Sequence, residues 1–127
     1  MSIKEICFFR ELDHGSPAGP SLQEERGKLA SDKAPNICEY LRNAGLLAAT
    51  GTFVDDWFDG SKKNVAPREV RTDGEWAWLG DLAYYVEKYQ VGIPQEFISH
   101  MAERQWVPPK LSDAQLIKAA NDYLSQR

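Results

Sequence analysis

Three carboxylates, Asp55, Asp56 and Asp59, fall within five residues of one another, with Trp57 and Phe58 between them. Acids so close can act as general acid and base, or hold Mg²⁺ through oxygen ligands. The same residues also suit a solvated turn closed by Asp59-Gly60, since Asp and Gly both favour turn conformations. A third reading is a docking surface, on which aromatic anchors flanked by acids capture and steer a basic protein. A second constellation joins Trp76, Trp78, Asp81, Tyr84 and Tyr85. Trp78, Leu82, Tyr85 and Val86 have the pattern of a hairpin packed on a helix. Trp76 and Tyr84 lie at the edge of that pattern and, beside Asp81, are interface material.

The remaining reactive residues offer little chemistry. His14 and His100 are the two histidines. Glu96 lies four residues before His100 and Glu103 three after it, a spacing of exposed helical ion pairs rather than of a metal site. Cys7 stands in the apolar run Ile6-Cys7-Phe8-Phe9, where a thiolate is disfavoured, and Cys38 is likewise set among apolar residues. Both are expected to be buried, reduced thiols. Gly15-Ser16-Pro17-Ala18-Gly19 imitates a nucleophile elbow, but its serine follows glycine directly and its proline opposes a strand–turn–helix. A glycine-rich phosphate loop is absent from the sequence. The expectation is therefore a protein without catalytic residues, metal or cofactor.

These residues need elements to position them. Ile6–Phe9 reads as a buried strand, and residues 14–20, with two Gly and two Pro, must be a loop. Ser21-Leu22-Gln23-Glu24 has the capping-box spacing, predicting a helix from Ser21 to about Ala30. A second helix starts near Pro35, carries Ile37, Leu41 and Ala44 on one face, and stops at Gly45. Leu46–Thr50 reads as a strand. Asp73-Gly74 predicts a two-residue turn between strands 68–72 and 75–78, with Trp76 and Trp78 on one face. The period then becomes helical: Leu82, Tyr85, Val86 and Tyr89 form one stripe, ended by Gly92. Pro94 opens another helix with Phe97, Ile98, Met101 and Ala102 inward. Ser112-Asp113-Ala114-Gln115 is a second capping box, before a last helix lined by Leu116, Ile117, Ala120 and Leu124. The expected fold is α+β: residues 1–127 as a single compact domain, with a small antiparallel sheet of three or four strands and about five helices.

Composition narrows the function classes. At 127 residues, 43% hydrophobic and 27% charged, the chain is globular and long enough to bury a core without a staple. Fifteen Lys and Arg stand against 19 Asp and Glu, a formal charge of −4. An acidic chain without a basic stripe is a poor nucleic-acid binder but attracts basic partners. An apolar run long enough for a membrane span is missing, and Met1-Ser2-Ile3-Lys4-Glu5 lacks a signal-peptide core, so a cytoplasmic location is expected.

The string Thr72-Asp73-Gly74-Glu75-Trp76-Ala77-Trp78, continuing through Asp81-Leu82-Ala83-Tyr84-Tyr85-Val86 to Tyr89, resembles a family of small, uncharacterised bacterial proteins, as do Ile93–Phe97, Phe8–Gly15 and Ala48–Thr50. The resemblance covers about residues 6–111 and brings no catalytic motif. It implies a bacterial, cytoplasmic, non-enzymatic protein. Small acidic proteins of this kind often serve as immunity proteins. The leading expectation is an immunity-type binding protein, monomer or homodimer, that occludes the active site of a cognate basic toxin. Its expected contacts are Asp55, Asp56, Trp57, Phe58, Asp59, Trp76, Asp81 and Tyr84. The alternative is a small-ligand binder or enzyme with a site near the His14 loop, between residues 14–20 and the Trp76/Tyr84 region, using Arg10, Glu11 and His14 as its polar groups.

Overall fold

Four strands and five helices succeed one another as β1 (Lys4–Glu5), α1 (Leu22–Glu25), α2 (Ala34–Asn43), β2 (Gly45–Val54), β3 (Ala66–Thr72), β4 (Trp76–Leu79), α3 (Leu82–Tyr89), α4 (Gln95–Glu103) and α5 (Asp113–Gln126). They come from a computed structural model that describes residues 3–30 and 32–126. The sheet order is β1-β4-β3-β2, an α+β arrangement around one core. The expected antiparallel pairing holds for β2, β3 and β4, whereas β1 joins β4 in parallel, which makes the sheet mixed.

The hairpin forms where expected, but its turn is shifted by one residue. Asp73 N donates to Trp76 O across it, so Gly74 and Glu75 occupy the central positions, and Gly74 alone takes positive φ (+98°). Asp73 serves differently. It is 2% exposed, its Oδ1 accepts from the N–H groups of Glu75 and Trp76, and its Oδ2 accepts from the Tyr40 hydroxyl. A buried carboxylate must have its lone pairs met, and here that need fixes the turn.

Trp76 and Trp78 share one face, with ring centroids 5.2 and 5.3 Å from Phe97 of α4. Trp78 also donates its indole N–H to Leu41 O of α2. On the other face Gly45, Thr72 and Ala77 stand in register. A Cβ on Gly45 would lie 2.7 Å from Leu116 Cδ2, which places α5 against this face. The capping box of α5 is complete: Gln115 N donates to Ser112 Oγ, and Ser112 N to Gln115 Oε1. The helix is rotated from its expected stripe. The Tyr123 hydroxyl donates to Glu5, which turns Ala119 and Tyr123 inward and leaves Ile117 and Leu124 mostly exposed.

Three further boundaries differ for local reasons. Ile6–Phe9 is buried but is not a strand, because Cys7 takes φ +56° and leads the chain off the sheet. α1 stops after one turn, since Gly27 N and Leu29 N donate to Tyr89 O and Gln90 O instead of extending the helix. α3 ends at Gln90 in the left-handed conformation, two residues before Gly92. β2 outruns its expected end: bulges and Gly51 at φ +80° carry it to Val54.

Candidate functional site

The acidic segment after β2 is built by its own side chains. Asp56 is 2% exposed. Its Oδ1 accepts from the N–H groups of Phe58 and Asp59, closing a tight turn, and its Oδ2 accepts from the hydroxyls of Tyr84 at 2.5 Å and Tyr89 at 2.6 Å. Burial alone would raise its pKa, but these four donors outweigh burial and hold the carboxyl below its usual value. Burial, and then its bond to the Asp56 carboxylate, push the Tyr84 hydroxyl up. Phe58 folds inward, 4.5 Å from the Tyr89 ring, under the guanidinium of Arg26. Asp55 is exposed, accepting from Asn64 N and pairing with Lys63. Asp59 accepts from Ser61. Trp57 points outward, 41% exposed, while its backbone N–H donates to the buried Tyr85 hydroxyl.

The structure therefore divides the expected contact residues. Asp55, Trp57 and Asp59 are accessible. Phe58 and Tyr84 are half-buried and engaged. Asp56, Trp76 and Asp81 are buried and are not surface groups: Asp56 is consumed by two tyrosines, Trp76 by Phe97 and His100, and Asp81 by His14. The correction has one physical reason. A short carboxylate next to tyrosines in sequence can face them after folding, and the sequence does not show whether the pair turns in or out.

Asp55 and Trp57 line a cleft of about 430 Å³ together with Asp13 and His14 of the loop after residue 10, and with Phe53 and Arg68. Phe53, at the end of the edge strand, is 58% exposed. Asp13 is largely solvated and pairs with Arg68 at 3.3 Å. His14 is mostly buried. Its Nε2 lies 2.8 Å from Asp81 Oδ2 and its Nδ1 2.9 Å from Asp13 Oδ1. Burial opposes the charged ring, yet the two carboxylates raise its pKa. With both nitrogens engaged, the ring has none free to take a proton from a substrate. An adjoining groove of about 270 Å³ shares His14 and Arg68 and is floored by Ala48, Val70 and Leu79.

Of the polar groups expected beside His14, Glu11 lines the cleft but is committed to α1, accepting from Ser21 Oγ, Leu22 N and Gln23 N. Arg10 is exposed and pairs loosely with Glu24. The cleft joins the His14 loop to residues 53–57 rather than to Trp76 and Tyr84. Reading residues one constellation at a time missed Asp13, Phe53 and Arg68. The available signal was Thr52-Phe53-Val54 just past Gly51, β-branched and aromatic residues that favour a strand.

His100 finds its acid on the hairpin, not on its own helix: Nε2 lies 2.8 Å from Asp73 Oδ2, with Glu75 at 3.8 Å. Cys7 and Cys38 are buried and free, and burial pushes the Cys7 thiol up to about 12. None of the helices is long and apolar enough to cross a membrane, among the described residues. Comparison with protein-family models, with curated proteins and with solved structures finds no match to this chain.

Proposed function

We propose that the protein is an immunity-type binding module, acting in the cytoplasm, that occludes the active site of a basic bacterial toxin domain. The observation that carries this reading is the composition of the 430 Å³ cleft: two exposed aromatic rings, Phe53 and Trp57, flank the exposed carboxylates Asp13 and Asp55. Aromatic anchors that bury on association, ringed by acids that steer a cationic partner, are the working parts of such an interface. The formal charge of −4 acts in the same direction.

The test is a paired capture from the source lysate with wild-type and Trp57→Ala protein, eluted by salt, followed by assay of the captured protein with each. The expected result is a basic protein held by wild type, released by salt, bound about tenfold more weakly by the variant through a faster off-rate, and inactivated on binding. An equally tight complex with Trp57→Ala, or a salt-insensitive one, overturns the assignment of this cleft.

A second reading is favoured by the position of His14 in the cleft wall: a small ligand could occupy the same space, whose volume suits one. Thermal stabilisation by a small molecule, abolished by Asp13→Asn but not by Trp57→Ala, would select that reading.

A further inference from the structure

His14 stands where three segments meet. Asp81, the buried residue that opens α3, faces its Nε2, and Asp13 of its own loop faces its Nδ1. Arg68 of β3 holds Asp13 from the other side. Asp55, Asp56 and Glu11 border the cleft on one side of the ring, and Glu69 lines the groove on the other. Asp56, Asp55 and Glu11 already accept from their own donors, and Glu69 pairs with Arg71.

Ionised carboxylates only accept hydrogen bonds, so this geometry needs a proton on both ring nitrogens. Neutral imidazole keeps one. Asp81 is 2% exposed and would face a lone pair in a dry site, whereas Asp13 can turn to water. The proton that leaves is therefore the one on Nδ1. Its departure to solvent puts a nitrogen lone pair against the Asp13 carboxylate and removes one positive charge from the cleft mouth.

We propose that His14 is a proton-operated latch on the cleft: protonated, it holds Asp13 in place; neutral, it keeps Asp81 and lets go of Asp13, leaving it to Arg68, to water or to a cationic partner. The latch regulates the site proposed above and rests on that reading only for its effect on a partner. Its contribution is complete below the ordinary histidine value of 6.5 and is lost as pH rises through the raised value of the folded protein.

The experiment uses the free protein, so its failure leaves the binding reading intact. Ring ¹⁵N and ¹H resonances of His14 are followed across pH in wild type and in Asp13→Ala, a substitution at a largely exposed side chain. The expected result has three parts: titration above 6.5 in wild type, an Nε2–H tautomer at high pH, and proton affinity lowered about three- to tenfold by the variant. An Nδ1–H tautomer at high pH, or the same titration in both proteins, overturns the latch.

Discussion

Asp56 should be the point at which the acidic segment is most easily undone, and its two tyrosines should not contribute independently. Tyr84 and Tyr89 donate to the same oxygen, Oδ2, while Oδ1 is filled by two backbone N–H groups. With one hydroxyl removed, Oδ2 still accepts from the other, so Tyr84→Phe and Tyr89→Phe should each cost about 1 kcal/mol, the net worth of an ordinary hydrogen bond. Removing both leaves one oxygen of a nearly fully buried carboxylate without a donor. The double variant should then lose about 3–4 kcal/mol, more than the two single losses together. For a chain of this size about 1 kcal/mol moves Tm by about 4 °C, so the double variant should melt about 12–16 °C lower. Urea unfolding of the four proteins, read by tryptophan fluorescence and circular dichroism, measures the cycle. A second axis is pH. The Asp56 pKa is held down in the folded state, so its contribution is full above the unfolded value of about 3.8 and is lost as pH falls through the lower folded value. Wild type should therefore lead Asp56→Asn at neutral pH and converge on it in acid. Additive or sub-additive tyrosine losses, or a gap that persists in acid, would refute the account of a shared acceptor.

Two further outcomes follow from close packing and burial. A Cβ on Gly19 would lie 1.8 Å from Phe8 O, and that atom is backbone, so Gly19→Ala should cost about 3 kcal/mol; Gly60→Ala, with nothing within 4 Å, should stay within about 0.5 kcal/mol, and urea midpoints of the two compare them directly. Cys7 is 4% exposed with its thiol pushed up to about 12, so an aromatic disulfide reagent should label it in guanidinium but only after global unfolding in native buffer; prompt native labelling of Cys7, located by peptide mapping, would contradict its burial.

Much of the fold was legible because periodicity and capping are local. The Leu82-Tyr85-Val86 stripe, the hairpin around Gly74 and the Ser112–Gln115 box each depend on residues a few places apart; the stripe and the box stand as expected, and the hairpin forms with its turn one residue further on. What misled were features settled by distant partners. Glu24 N donates to Ser21 Oγ as the capping box requires, but the carboxylate that caps the α1 start is that of Glu11, ten residues before Ser21, rather than that of Glu24. The exposed side of α5 was set by Tyr123 reaching Glu5 from the far end of the chain. The turn shifted because Asp73 was claimed by Tyr40. Nothing in the spacing of Ile117 and Leu124 could announce that a tyrosine would roll their helix. The candidate site suffered most, since aromatic and acidic residues suit both a core and an interface, and only the third dimension sorts them.

That sorting explains why exposed rings can sit beside buried acids in one short loop. A docking surface gains when its anchors are held in place before the partner arrives, because less side-chain and loop freedom is then lost on binding. Asp56 fixes the turn from within, Phe58 is clamped beneath Arg26 and against Tyr89, and Trp57 hangs from a backbone N–H bonded to Tyr85. The acids that sequence reading placed at the interface are, in part, the supports that keep Trp57 there. Removing a support should therefore weaken binding through stability and order, whereas truncating Trp57 should weaken it with the fold intact, and that difference separates the residues that touch a partner from those that only present them.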